Sequence, residues 1–159
     1  MVAGMGRRRP RAARRASGLR VYLLYYVRTP DPDWDGTYVN VIDPASPSPM
    51  PLAIVEVQRC YSHRLGGPND EVFHGHPLGE RGLDGYGAYV VERSKWVAEH
   101  RTTNSVHSMY DVRVWEKRKH FFFAFHDNVF ECIAEGFNVE TVHMTFADAL
   151  VMLAERVVS

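Results

Sequence analysis

The densest run of reactive side chains is Gly66-Gly-Pro-Asn-Asp-Glu-Val-Phe-His-Gly-His-Pro-Leu-Gly-Glu80, where Asn69, Asp70, Glu71, His74 and His76 fall within eight residues. Imidazoles beside carboxylates suit proton transfer near neutral pH, because imidazole titrates there and a carboxylate can orient it. A second concentration follows at His107, His120, His126, Asp127 and Glu131. The expected chemistry is acid–base work on a small polar molecule, with Glu71, His76, His126 and Glu131 as acids and bases. Asn69, Asp70, His107 and Asp127 would hold the substrate. The same loop also fits a second class, a non-catalytic binding or accessory module. Plainer roles exist too: Asp127-Asn128 suits a turn, and Asn69-Asp70-Glu71 suits a helix cap with first-turn acids. His120 and Glu131 suit charge pairing on a strand face, and His107 an ordinary surface position.

Two imidazoles two residues apart project to the same side of an extended chain. His74 and His76 could therefore offer two ligands to one Zn or Fe ion, with Glu80 as a third. No metal or other cofactor is favoured over metal-free chemistry. Covalent catalysis is disfavoured: there is no Gly-x-Ser-x-Gly elbow, and Cys60 has no evident partner histidine close in sequence. Cys132 reads as a buried, inert thiol.

The His-x-His-Pro-x-x-Glu spacing resembles the first metal motif of the cupin barrels, a family with metal-dependent oxygenase, isomerase and epimerase members. The match covers Gly67–Gly87, with the leading glycine offset. There is no later Pro-x-Gly-x-x-His element, so His107 or His126 would have to complete the ligand set. A broader resemblance runs over Arg59–Phe137. Gly67-Pro-Asn-Asp-Glu71, Gly75-His-Pro-Leu78, Gly82-Leu83, Tyr86, Ser94-Lys-Trp96, Asn104-Ser-Val-His107, Phe125-His-Asp127 and Phe130-Glu-Cys132 together resemble a family of small bacterial proteins with no assigned activity. That resemblance implies neither cofactor nor substrate. It places His76, but not His74, in a recurring motif, and it groups Asn69, Glu71, His76, His107, His126, Asp127 and Glu131 around one pocket.

Strands must carry these residues. Leu19–Val27, Thr37–Asp43, Ala53–Cys60, Tyr86–Arg93 and Asp111–Trp115 read as strands from apolar runs or alternation. Leu19–Asp43 reads as a hairpin, and the four prolines of Pro44–Pro51 should keep that stretch out of a central strand. On the third of these strands, Ala53–Cys60, Ile54, Glu56 and Gln58 share one face and Ala53, Val55 and Val57 the other. Leu65–Asp84 reads as a long loop. Ser94 caps a helix to about Thr103, and Thr145-Phe-Ala-Asp148 opens a terminal amphipathic helix with Leu150, Leu153, Ala154 and Val157 on its apolar stripe. Lys119–Phe125 and Val129–Phe137 form the clearest hairpin. A two-residue Asp127-Asn128 turn would oppose Phe125 to Phe130, Phe123 to Cys132 and Phe121 to Ala134. His120, His126, Glu131 and Glu135 would lie on the other face, His126 diagonal to Glu131 and His120 across from Glu135. The fold class is then α+β: a mainly antiparallel sheet of about six strands, barrel-like, with a short middle helix and a C-terminal helix.

The 159 residues balance 19 Lys and Arg against 19 Asp and Glu. Seven arginines and no acid fall in residues 1–20, which leaves 12 basic against 19 acidic groups beyond them. The expected organisation is a disordered, dispensable Arg-rich tail over 1–18 and a single acidic domain over 19–159. An acidic body repels phosphate backbones, so nucleic acid is disfavoured except through the tail. A small-molecule ligand is favoured as partner, and oligomeric state is left open. No apolar run spans a bilayer, and a soluble, cytoplasmic protein is expected. Asp31–Gly36 reproduces half of a calcium loop, but Ile42 stands where a bidentate Glu is needed.

Overall fold

Apolar runs with a period of two build the first sheet of this computed structural model, which describes residues 19–27, 35 and 42–158. β1 (Leu19–Tyr26) lies antiparallel to β2 (Met50–Cys60), with Val21 opposite Val57 and Leu23 opposite Val55. β3 (Ser62–Gly66) follows β2 almost directly, and β4 (Ala88–Val90) comes after two 3-10 turns, Asp70–Gly75 and Gly79–Arg81. Next are helices α1 (Lys95–Asn104) and α2 (Val112–Glu116), then β5 (Lys119–Ala124), β6 (Val129–Ala134), β7 (Gly136–Met144) and helix α3 (Phe146–Val158). The strands form two antiparallel sheets, ordered β1-β2-β7 and β3-β6-β5-β4. The fold is thus α+β. No pairing among the described residues closes either sheet into a barrel.

One bent strand pair joins the sheets. Gln58 opposes Gly136 in the first sheet and Ser62 opposes Ile133 in the second, so Arg59, Cys60 and Tyr61 face only Ala134 and Glu135. That extra residue is a bulge, and Arg59 takes the left-handed φ of 51° within it. The ladder stays closed across the corner: Glu135 N–H donates to Gln58 O at 3.0 Å and Tyr61 N–H to Ile133 O at 2.8 Å. Strands that change sheet at a bulge are how two sheets come to pack face to face. Here Val55, Val57 and Cys60 meet Phe121, Phe123, Phe130, Cys132 and Ala134 in the shared core. Phe137 fills the corner, edge-on to Phe121 and Phe123 at 5.2 and 5.1 Å.

Helix α3 covers the outer face of the first sheet, where Phe146 stacks on Tyr26 and Arg156 binds Glu140 at 2.7 Å. The Thr145 hydroxyl accepts from Asp148 N–H, as the capping pattern predicts. The buried side of α3 is Ala149 and Leu153; of the expected stripe, Leu150, Ala154 and Val157 face outward. On the outer face of the second sheet, Phe73 and Tyr89 cover Phe122. Trp96 of α1 covers His120. Gly79 lies so close to the Phe73 carbonyl that a Cβ would collide with backbone. Gly79→Ala should therefore destabilise by about 1–3 kcal/mol, read as a lower urea midpoint.

Several expectations change. Asp111–Trp115 is helical, because the Asp111 carboxylate caps the turn by accepting from Arg113 N–H at 2.9 Å. Met50 and Pro51 do belong to the central strand β2, at its first residues, where a missing N–H is tolerated. β1 pairs with β2; of its expected hairpin partner Thr37–Asp43, residues 37–41 lie outside the described residues and 42–43 are not strand. Residues 1–18, and Asp31–Gly36 apart from Asp35, also lie outside them. β3 and most of β7 give no clear alternation, and neither is anticipated above. The final hairpin pairs Ala124 with Val129, Phe123 with Phe130 and Phe121 with Cys132, around a four-residue loop closed by Phe125 N–H to Asn128 O. The register moves by two residues, so both face compositions survive while every opposing pair changes.

Candidate functional site

That two-residue shift decides which histidine meets Glu131. With His120 opposite Ile133, Glu131 becomes its diagonal neighbour, and His120 Nε2 lies 2.8 Å from Glu131 Oε2. Both residues are buried. Arg64, directly across from Glu131 on β3, donates from Nε and Nη2 at 2.7 and 2.8 Å. An ionised carboxylate only accepts, so His120 Nε2 carries its proton. Nδ1 faces Ser94 Oγ at 2.9 Å, and that oxygen also accepts from Val97 N–H as the cap of α1. Trp96 closes the group, its ring 5.1 Å from His120 and 4.7 Å from the Arg64 guanidinium. Burial alone would raise the Glu131 pKa; the hydrogen bonds from His120 and Arg64, with the guanidinium charge, override it and lower the carboxyl to about 2. Both Glu131 oxygens, both His120 nitrogens and Ser94 Oγ are engaged within the protein. This buried His–Glu pair therefore ties α1 and β3 to the sheet and leaves no free atom for a substrate.

His126 is placed differently. It sits in the hairpin loop, past the end of β5, so it does not reach Glu131 as the two-residue turn had implied. Its Nδ1 lies 3.0 Å from Asp70 Oδ2, and Asp70 N–H donates in turn to His126 O at 3.0 Å. Asp70 opens the first 3-10 turn, and Gly85 packs against its carboxylate closely enough that a Cβ would come within 3.1 Å of Oδ2. Asp70 Oδ1 is buried and has no hydrogen bond of its own among the described residues. The Tyr86 ring is parallel to the imidazole at 6.2 Å, and Tyr86 holds a left-handed φ of 59°. The hydrogen bond to Asp70, then its charge, raises the His126 pKa. With Nδ1–H committed to Asp70, the lone pair of Nε2 points outward from a side chain that is 57% exposed.

The remaining candidates scatter around this pair. Asn69 and Glu71 flank Asp70, joined by an Asn69 Nδ2 to Glu71 Oε2 bond of 3.3 Å. Asp127 is exposed, 4.0 Å from His126 Nε2. His76 serves the turn: its Nδ1 accepts from Leu78 N–H and its ring meets Phe122 edge-on at 5.4 Å. His107 likewise accepts from Met109 N–H in an exposed turn after α1. His74 lies in the first 3-10 turn and Glu80 in the second. Among the described residues no three His, Cys, Asp or Glu side chains converge as a metal-binding group, so His74, His76 and Glu80 do not assemble the expected ligand set.

Cys60 does have a histidine, His63, with Nδ1 at 4.0 Å from its sulfur. The bulge brings Cys60 onto the face of Cys132, which stands opposite His63. A hydrogen bond from Cys132, with His63 nearby, lowers the Cys60 thiol to about 7, and the same contact and burial push Cys132 up. Both thiols are free and buried, and Cys132 lies in the core as expected. Arg64 gives no signal in the sequence, because β3 is polar and exposed. No helix among the described residues is long and apolar enough to cross a membrane. No family model matches the chain, and comparison with curated proteins and with solved structures brings up no significant match.

Proposed function

We propose that this protein is an enzyme that moves a proton on a small polar molecule, with His126 as its acid–base group and Asp70 as the carboxylate that orients it. The observation that carries the reading is the 3.0 Å Asp70–His126 contact, which fixes the imidazole through Nδ1 and leaves Nε2 facing solvent. A general base must come within hydrogen-bond reach of the proton it removes, and an exposed imidazole oriented by a carboxylate is suited to this. Both members of the pair lie in the motifs that resemble those of the small bacterial proteins described above. Asp70 comes from Gly67–Glu71 and His126 from Phe125–Asp127. The raised pKa keeps part of His126 protonated near neutrality, so the same ring can take a proton and return it. Asp127, 4.0 Å from Nε2, and Asn69 and Glu71, which flank Asp70, would supply hydrogen-bonding partners for a polar substrate. His76 and Glu131 drop out as acids and bases and serve the scaffold.

The test uses 5-nitrobenzisoxazole, whose ring opens when a base removes its one acidic carbon-bound proton. Wild-type protein should open it on the order of 10²-fold faster than free imidazole at equal concentration. His126→Gln should return the rate to background. Asp70→Asn should lower it about tenfold and shift the pH profile down, because the group that raises the imidazole pKa is gone. A His126→Gln protein as active as wild type would end the proposal.

A further inference from the structure

A separate cavity lies against the other half of β5. It encloses about 350 Å³, within the range of small-ligand sites. Its walls are Leu78 and Leu83 from the 3-10 segment, Tyr89 from β4 and the buried Phe122 from β5. Arg81 and Arg93 stand in its lining, with Glu92 as the one acid. Neither guanidinium has a carboxylate within 4.0 Å among the described residues. The lining does not include Asp70 or His126, so the cavity is independent of the pair described above.

Arg93 is held there by structure on both sides. It has a φ of 52°, left-handed backbone that a side-chain-bearing residue keeps only when its surroundings enforce it. Before it, Val91 N–H donates to His120 O at 2.8 Å. After it, Ser94 caps α1 and bonds to His120 Nδ1. The Arg64–Glu131–His120–Ser94 chain thus fixes the turn that carries Arg93 into the lining.

From the apolar aromatic floor and the two unpaired guanidinium groups, we infer that this cavity binds a small aromatic carboxylate. The ring would lie against Phe122, Tyr89 and the leucines, and the carboxylate would meet Arg93 and Arg81, whose planar forks match its geometry. Glu92 would disfavour a dianion.

Isothermal titration of the full chain with 2-naphthoate, and with neutral 2-naphthamide, tests the assignment. Naphthoate should bind more tightly than the amide, and Arg93→Gln and Arg81→Gln should each weaken it about tenfold while leaving the amide unchanged. Leu83→Trp, which fills the cavity, should abolish binding of both. Both arginines are exposed, so circular dichroism should show native folding in those variants. Absence of binding at millimolar naphthoate, or binding indifferent to Leu83→Trp, overturns the site. Binding lost with Leu83→Trp but indifferent to both arginines overturns the carboxylate assignment. Persistence of naphthoate binding in His126→Gln is expected, and its loss would merge the two sites and overturn their independence.

Discussion

Glu131→Gln should cost about 2–4 kcal/mol of folding stability, because it removes the buried carboxylate that accepts from the buried His120 and from Arg64, whose exposed guanidinium can partly rehydrate. An amide keeps the shape but turns a donor toward groups that themselves donate, so the loss should exceed that of a neutral hydrogen bond. Urea unfolding at pH 7 would show it as a lower midpoint with an unchanged slope. The same carboxylate predicts a pH dependence. Its pKa is about 2 in the folded protein against an ordinary 4.5. A depressed folded-state pKa contributes stability that is complete above the unfolded value and lost as pH falls through the folded one. The difference corresponds to about 3 kcal/mol, present above roughly pH 5 and fading toward pH 2. In Glu131→Gln that part of the acid-induced loss should disappear. Equal acid sensitivity in wild type and variant would show that the burden lies on other carboxylates.

Phe122→Ala should cost a similar amount, about 3–5 kcal/mol, for a different reason. Phe122 is fully buried, and the rings of Phe73, His76 and Tyr89 all rest on it. Those residues come from the 3-10 segment and β4, which have little regular structure to hold them otherwise. The truncation should loosen that covering layer first. Hydrogen exchange should then rise more over residues 70–91 than over β2 and β7, whose ladder does not touch Phe122. Uniform exchange across the chain would mean that the layer and the sheets open together.

Much of the fold was legible because apolar pattern and turn chemistry are local. The β1 run, the β2 alternation, the Ser94 and Thr145 caps and both faces of the last hairpin could all be read from neighbouring residues. What escaped depends on partners far along the chain. Arg64 is a polar residue in a polar strand, and only the pairing of β3 with β6 sets it across from Glu131. Asp111–Trp115 has strand-like alternation, but its aspartate caps a helical turn. The face of α3 was misjudged because valines and leucines occupy both of its sides, so periodicity alone does not say which one the sheet covers. For the site, residue types drew attention to two distant segments, and the fold brings Asp70 and His126 together from them. The four-residue hairpin loop moved every opposing pair by two, which joined Glu131 to His120 and released His126 to Asp70.

The bulged corner also constrains how the chain reaches its native state. The strand pair that turns there links Met50 to Met144 at one end and Gly66 to Val129 at the other. Closing so wide a span must precede most of the contacts that reward it, which places the protein among slower folders. During synthesis β2 has no ladder on its β7 side until the last quarter of the chain emerges. Until then β2 is paired with β1 alone and its other edge is open, which makes β2 the segment most in need of protection on the ribosome.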